Sequence, residues 1–375
     1  MQLPERIRLL CLGLVAFVPI ASAQIKSSAP AQSDHPVYKL VFKPQAAIPE
    51  LKPSLFAPPI LCSPGGTAYY GVPEQPTYRE MTIHQLDLKQ PRSFGYRQVE
   101  GLYDARFIAF FPDEAELYVL INASQDSEQA REDAAKQIGT YISVSGLTGR
   151  HDFLLKFDRS GRYVNRIQLP DQLNFARFAV FEDGSFLALG VERATAAVRL
   201  VEMSADGKIV RYLALPSALR SSASESTEMK SSQGEIASAE AKLGRWFFVP
   251  VRHKVLLFAR DINQVLEIGP DGVRREVDVA IPKGYFFDSI ISSNDRWLFL
   301  VPRQVEWDPG KFGGKLTSRD YTVYEVDFND GRFIREMKGA PTPGLGIACE
   351  RDGVFTGFSI GRDANYVLWT AELPR

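Results

Sequence analysis

The sequence predicts an all-β chain folded as a six-bladed β-propeller of four-stranded antiparallel blades. Three observations lead there. Four segments repeat one hairpin turn: Phe157-Asp158-Arg159-Ser160-Gly161-Arg162, Met203-Ser204-Ala205-Asp206-Gly207-Lys208, Ile268-Gly269-Pro270-Asp271-Gly272-Val273 and Val326-Asp327-Phe328-Asn329-Asp330-Gly331-Arg332. Each lies between alternating apolar runs, and self-similarity at such spacing marks a repeat architecture. A second hairpin interleaves with the first. Ala105-Arg106-Phe107-Ile108-Ala109-Phe110-Phe111 is similar to Ala176-Arg177-Phe178-Ala179-Val180-Phe181, and both run through an acidic turn into a second apolar strand. The same apolar–turn–apolar pattern recurs around Gly65-Gly66, Arg252-His253-Lys254, Asn294-Asp295 and Asp352-Gly353, which makes six first hairpins. Setting aside about 75 residues of insertions leaves roughly 45 residues per unit, the size of a four-stranded blade.

Taken in order, the chain opens on an export segment. Arg6 and Arg8 precede an apolar run from Leu9 to Ile20, and Ala21-Ser22-Ala23 forms an A-x-A cleavage site before Gln24. The run is too short to span a bilayer. Cys11 lies early in it, unlike the cysteine of a lipoprotein signal. The expectation is an exported chain, periplasmic or extracellular, with residues 1–23 removed, no membrane anchor, and 24–375 as one propeller domain. The whole sequence has 44 basic and 45 acidic residues. This balance gives no reason to expect nucleic acid as a partner.

The orphan strand Val37-Tyr38-Lys39-Leu40-Val41-Phe42 comes next. The sixth unit ends early, at Tyr366–Leu373, and lacks an outer strand. Pairing the orphan strand with it closes the ring and covers an exposed edge. Cys62 and Cys349 survive processing, and export permits a disulfide between them; two separate buried thiols are the alternative. On the propeller they fall on inner strands of the first and sixth blades, neighbours across the seam.

Three stretches interrupt the repeat. Residues 122–150 contain a polar segment, 124–136, that reads as a short capped helix. Residues 216–243 are rich in Ser, Ala and Glu and read as a loop. Residues 303–320 hold a Gly-rich loop with Trp307 and Phe312. Strand direction alternates along a meander. Connections one–two and three–four therefore emerge on one face, and connections two–three and four-to-next-one on the other. The short turns belong to the first face and all three insertions to the second, where binding usually resides.

Arg106, Arg177 and, less regularly, Arg245 occupy corresponding opening positions of the inner strands in blades two, three and four, with Asp288 there in blade five. Arginine suits planar anions because its donor fork binds carboxylate or phosphate bidentately. The structural alternative is that each arginine holds neighbouring blades together. Trp307 and Phe312 are candidate interface contacts; their alternative is a loop packed back on the propeller. Arg260-Asp261-Ile262-Asn263 and Arg362-Asp363-Ala364-Asn365 are explained as turn builders. Gly357-Phe358-Ser359-Ile360-Gly361 matches a nucleophile elbow in letters only, since a strand follows it and no histidine occurs after His253. His35, His84, His151 and His253 lack zinc-ligand spacing, and Asp327–Gly331 lacks the ligand spacing of a calcium loop. Asn122-Ala123-Ser124 is a formal glycosylation sequon.

With its paired Asp-Gly turns and Asp/Asn connections, the chain resembles the NHL-like and TolB-like six-bladed propellers. The resemblance is one of architecture, and fold does not imply one function. The leading expectation is a non-enzymatic binding protein that engages a protein partner or small anionic ligand on the elaborated face, without a cofactor. The rival rests on the resemblance, which includes calcium-dependent lactonases and esterases. Asp104, Asn174 and Asp288 would then hold calcium at the channel. The arginines among them disfavour a hard cation.

Overall fold

A computed structural model describes residues 36–48, 61–73, 81–85, 92–96, 101–113, 115–125, 150–215, 246–251, 253–259, 264–279, 286–292, 297–303, 305–306, 315–316, 321–339, 346–360 and 366–374, with positions 99 and 243. Two N-terminal strands come first, β1 (Val37–Leu40) and β2 (Lys43–Ile48). Blade one is β3 (Leu61–Cys62), β4 (Ala68–Pro73), β5 (Met81–Gln85) and β6 (Arg92–Tyr96). Blade two is β7 (Tyr103–Pro112), β8 (Glu116–Ser124), β9 (Arg150–Asp158) and β10 (Tyr163–Gln168). Blade three is β11 (Leu173–Val180), β12 (Phe186–Glu192), β13 (Val198–Met203) and β14 (Ile209–Leu213). Blade four is β15 (Trp246–Val251), β16 (Lys254–Ala259), β17 (Gln264–Gly269) and β18 (Gly272–Asp278). Blade five begins with β19 (Phe286–Ser292) and β20 (Trp297–Arg303). A two-stranded excursion follows, β21 (Val305–Glu306) with β22 (Lys315–Leu316), before β23 (Tyr321–Asp327) and β24 (Phe333–Gly339). Blade six contributes β25 (Gly346–Arg351), β26 (Val354–Ile360) and β27 (Tyr366–Glu372).

The strand orders are those of six antiparallel meanders. Their first strands neighbour one another in a closed circuit, β3–β7–β11–β15–β19–β25 and back to β3. This is the six-bladed propeller expected from the repeat. Middle strands such as β8 and β12 are buried along nearly their whole length, because a neighbouring blade covers each face. The outer strands β10 and β14 are mostly exposed. The largest buried side chains, among them Phe153, Phe186, Phe258 and Phe355, come from four different blades.

Closure differs from expectation in one respect. The outer strand of blade six is β2, paired antiparallel with β27 from Lys43 opposite Thr370 to Ile48 opposite Tyr366. The segment expected to do this, residues 37–42, instead supplies β1, which pairs parallel with β24 as a fifth strand of blade five. The N-terminal segment thus spans two blades and covers the edge of each. Across the seam, Cys62 of β3 and Cys349 of β25 form a disulfide, with Cα atoms 5.7 Å apart.

The second hairpins also join blades. In each of three blades a buried glutamate on the third strand binds an arginine on the outer strand. Arg211 Nε donates to Glu202 at 2.7 Å, Arg275 Nε donates to Glu267 at 2.8 Å, and Arg335 Nε donates to Glu325. Each arginine then reaches the following blade. Arg211 donates to the Pro270 carbonyl, Arg275 to Asn329 Oδ1, and Arg335 to the Pro374 carbonyl at 2.6 Å. The outer strand carries an extra residue before each arginine, so the register shifts beside each glutamate.

Candidate functional site

The inner strands hold the arginines that the sequence singles out, Arg106 toward the opening end of β7 and Arg177 midway along β11. Arg106 lies on β7 and is exposed; Arg177 lies on β11 and is half-buried. They are not level with each other. Counted in cross-strand pairs from the first turn, Arg106 (opposite Asn122) is level with Asn174 (opposite Val191). Arg177, opposite Leu189, sits two pairs nearer the turn. The reason is where the turn falls: six residues of β7 follow Arg106 before the turn, and only three of β11 follow Arg177. β7 shifts register between Tyr103 and Arg106 and again between Phe107 and Ala109, whereas β11 shifts once, between Phe175 and Arg177. The bulge between Phe107 and Ala109 takes up one residue without advancing the ladder, so the offset is two pairs rather than three.

Arg177 Nη1 donates to the carbonyl of Ala176, the residue at the bulge, at 2.8 Å. Burial disfavours the charged guanidinium and pulls its pKa below the usual arginine value. No carboxylate among the described residues forms an ion pair with it. It is therefore a partly desolvated cation that, among the described residues, uses one arm of its donor fork.

The metal-holding alternative meets a specific obstacle at Asn174. Its Oδ1 accepts a hydrogen bond from Arg193 Nε at 2.7 Å. The oxygen that calcium would require already faces a cation. Asp104 and Asp288 lie on β7 and β19, the latter where β19 shifts register between Phe287 and Ser289. Their side chains are outside the described residues, as are Arg245, Trp307, Phe312, the 260–263 and 361–365 turns and most of 124–136 and 216–243. Among the described residues, no group of three His, Cys, Asp or Glu side chains converges as a metal site.

A buried polar network beside these positions was not foreseen. Arg150 Nε donates to Asn122 Oδ1 at 2.6 Å, Asn122 Nδ2 donates to Asp152 Oδ1 at 2.7 Å, and the Phe175 amide donates to Asp152 Oδ2 at 3.2 Å. The chain of bonds runs from β8 and β9 of blade two into β11 of blade three. Burial raises the Asp152 pKa, while the Asn122 and Phe175 bonds act in the opposite sense. The network positions β11, and with it Arg177. It also engages the amide of the Asn122 sequon. The signal for it was three polar residues, Asn122, Arg150 and Asp152, at strand ends that flank an insertion. Ser359, from the elbow-like motif, lies within β26 and accepts from Trp369 Nε1 at 2.7 Å, as a sheet residue rather than a nucleophile.

The chain matches no protein-family model and no curated protein. Solved structures with a similar chain path include the Neurospora crassa Pan2 WD40 domain, at 9% identity and TM-score 0.42 over 88% of this chain and 95% of that one. Myxococcus xanthus glutaminyl cyclase is similar at 11% identity and TM-score 0.34, over 90% and 99%. A protein of unknown function from Bacteroides caccae is similar at 11% identity and TM-score 0.36, over 80% and 86%. The propeller assignment rests on the strand pairing described above, and these likenesses carry no argument about function.

Proposed function

We propose that this chain is an exported, non-catalytic propeller of the NHL-like kind that binds a small anionic ligand at Arg177, midway along the inner strand β11. One observation carries the reading. Arg177 is a half-buried guanidinium without a carboxylate partner among the described residues, and its fork has donors to spare. An anion that brings its own carboxylate or phosphate oxygens relieves that desolvation. A protein partner would satisfy the same site with an acidic side chain. The disulfide supports export, since such bonds persist in oxidising compartments.

The test is calorimetric titration of the full chain with potassium citrate at constant ionic strength, set against Arg177→Gln. Saturable binding weakened about tenfold or more in the variant is the expected result, given the strength of charge-assisted hydrogen bonds. Equal affinity in the two proteins defeats the proposal. A parallel melt with calcium chloride and with chelator addresses the hydrolase alternative, which requires a calcium-dependent rise in stability.

A further inference from the structure

The N-terminal strand β1 shows what the outer edge of a blade accepts. It lies parallel to β24, with Val37 opposite Glu336, Tyr38 opposite Met337 and Leu40 opposite Gly339. The Arg335 guanidinium carbon lies 5.3 Å from the Tyr38 ring centroid. Two residues on, Leu40 is fully buried in one apolar cluster with Met337 of blade five and with Phe355 and Ala371 of blade six. The added strand thus covers the Glu325–Arg335 pair, and the Arg335 side chain is only 15% exposed.

The equivalent pair on blade three has no such cover. Arg211 binds Glu202 and reaches blade four just as Arg335 binds Glu325 and reaches blade six. Yet the Arg211 side chain is 43% exposed, and among the described residues no strand pairs with the outer edge of β14. Val210 and Tyr212, on either side of Arg211, are large apolar residues left exposed. Outer strands usually carry charge that deters further pairing. β10 carries Arg166, and β18 carries Arg274, Glu276 and Asp278. The one charged residue of β14 is Arg211, already neutralised by Glu202. Arg199 lies over the Tyr212 ring, 5.9 Å from its centroid, and is itself paired with Glu192 at 2.6 Å.

We propose that the outer edge of blade three is a docking site for an extended apolar segment of a partner protein, which adds to β14 as β1 adds to β24. Strand addition draws affinity from backbone hydrogen bonds and selectivity from alternate side chains. The register of blade five carries over position by position. Arg211 and Arg335 each lie opposite their glutamate, and Leu213 stands where Met337 stands, two residues further along. The partner residue opposite Leu213 is therefore an aromatic, which lies on the Arg211 guanidinium as Tyr38 lies on that of Arg335. The next residue but one is aliphatic and enters the space between blades three and four, as Leu40 does between blades five and six. The residue before the aromatic lies opposite Tyr212 and is apolar. The inference is independent of the anion-binding proposal, because it draws on outer-strand residues alone.

The probe is the peptide Val37-Tyr38-Lys39-Leu40-Val41-Phe42, blocked at both ends and labelled with a fluorophore, titrated with the full chain and read by fluorescence anisotropy. Saturable binding is expected. Val210→Lys combined with Tyr212→Lys puts charge on the exposed edge and is expected to weaken binding about tenfold. Tyr38→Ala in the peptide is expected to weaken it about threefold, the loss of one cation–π contact. A thermal melt checks folding of the variant, and Tyr212→Lys alone serves if the double substitution does not fold. The absence of saturable binding overturns the proposal. So does unchanged affinity in the folded variant, which would put the peptide in the place of β1 on β24. Light scattering of the full chain supplies the last arm: self-association that the double variant loses would give the edge to a second copy and overturn the partner-segment assignment.

Discussion

Arg275 and Phe328 tie blade four to blade five: the guanidinium carbon lies 4.4 Å from the ring centroid. The same guanidinium holds Glu267, which is only 7% exposed. One side chain thus neutralises a buried acid in its own blade and stacks on an aromatic in the next, a combination suited to the flat, delocalised cation of arginine. Arg275→Ala is expected to lower stability by about 2 kcal/mol, because among the described residues Glu267 then keeps Lys254 alone, at 3.5 Å, as a cationic partner. Arg275→Lys is expected to cost about 1 kcal/mol, since charge is retained but the fork and the stack are lost. Urea unfolding of both variants measures these differences. Equal stability of Arg275→Ala and the parent would show that the inter-blade contact is energetically idle.

Gly331 makes a second blade contact of a different kind. It closes the turn between β23 and β24 at φ +70, and a Cβ placed on it would lie 2.1 Å from the Asp278 carbonyl oxygen of blade four. Neither the backbone conformation nor the space admits a side chain. Gly331→Ala is expected to cost about 2 kcal/mol or more, combining left-handed strain with displacement of a neighbouring backbone. Gly184 is the contrasting position. It has φ +81, but its nearest contact is the Ala205 side chain at 3.5 Å. Gly184→Ala should therefore carry the conformational cost alone, about 1 kcal/mol. Thermal melts of the two variants separate strain from collision.

These contacts mark where the sequence was legible and where it was not. The turns could be read because their chemistry is local. Asp158, Ser160 and Gly161 specify a hairpin within a few residues, whatever surrounds them. The pairs that join blades, Glu202 with Arg211, Glu267 with Arg275 and Glu325 with Arg335, are visible in the sequence, yet a charge pair spaced across a hairpin reads as two solvated side chains. Its value comes from burial of the glutamate and from the next blade, both tertiary. The closing strand was misassigned because residues 37–42 and 43–48 are both extended. Residues 37–42 go to blade five instead, through a parallel pairing of β1 with β24 that has no turn to announce it. Arg106 and Arg177 share a local Ala-Arg-Phe motif, yet the turn follows it at different distances in β7 and β11, which leaves them two pairs apart. A cavity among the first turns draws one to three residues from each of five blades, so no contiguous motif spells it.

The second-hairpin turns make a pH prediction. Asp158 Oδ1 accepts from the Ser160 hydroxyl at 2.6 Å and from the Ser160 and Arg162 amides at 2.9 and 3.0 Å. The Ser160 hydroxyl bond, with the Arg162 amide bond next, pulls its pKa down from 3.8 to about 2. The folded value is below the unfolded one, so the contribution of this carboxylate to stability is fully present above the unfolded pKa. It is lost as pH falls toward about 2. The carboxyl carbon resonance of Asp158 should titrate with a midpoint near 2. In Ser160→Ala the midpoint should move up toward the ordinary carboxylate value. A parent midpoint already near 3.8 would contradict the hydrogen-bond account.

The disulfide gives the largest expected effect. Cys62 and Cys349 are separated by 287 positions, so the bridge closes nearly the whole described ring in the unfolded chain. Chain-entropy reasoning puts its contribution at roughly 5.5 kcal/mol, because stabilisation grows with the length of the loop closed. The native seam does not depend on the bridge alone. Gly66 packs against the Glu350 backbone, Arg351 donates to Thr67, and β2 completes blade six. Cys62→Ser with Cys349→Ser should therefore fold to the same propeller but melt well below the parent. Dithiothreitol should lower the parent melt toward that of the double variant and leave the variant unmoved. If the reduced parent melts with the oxidised one, the seam is held by strand pairing and packing, and the bridge adds nothing at equilibrium.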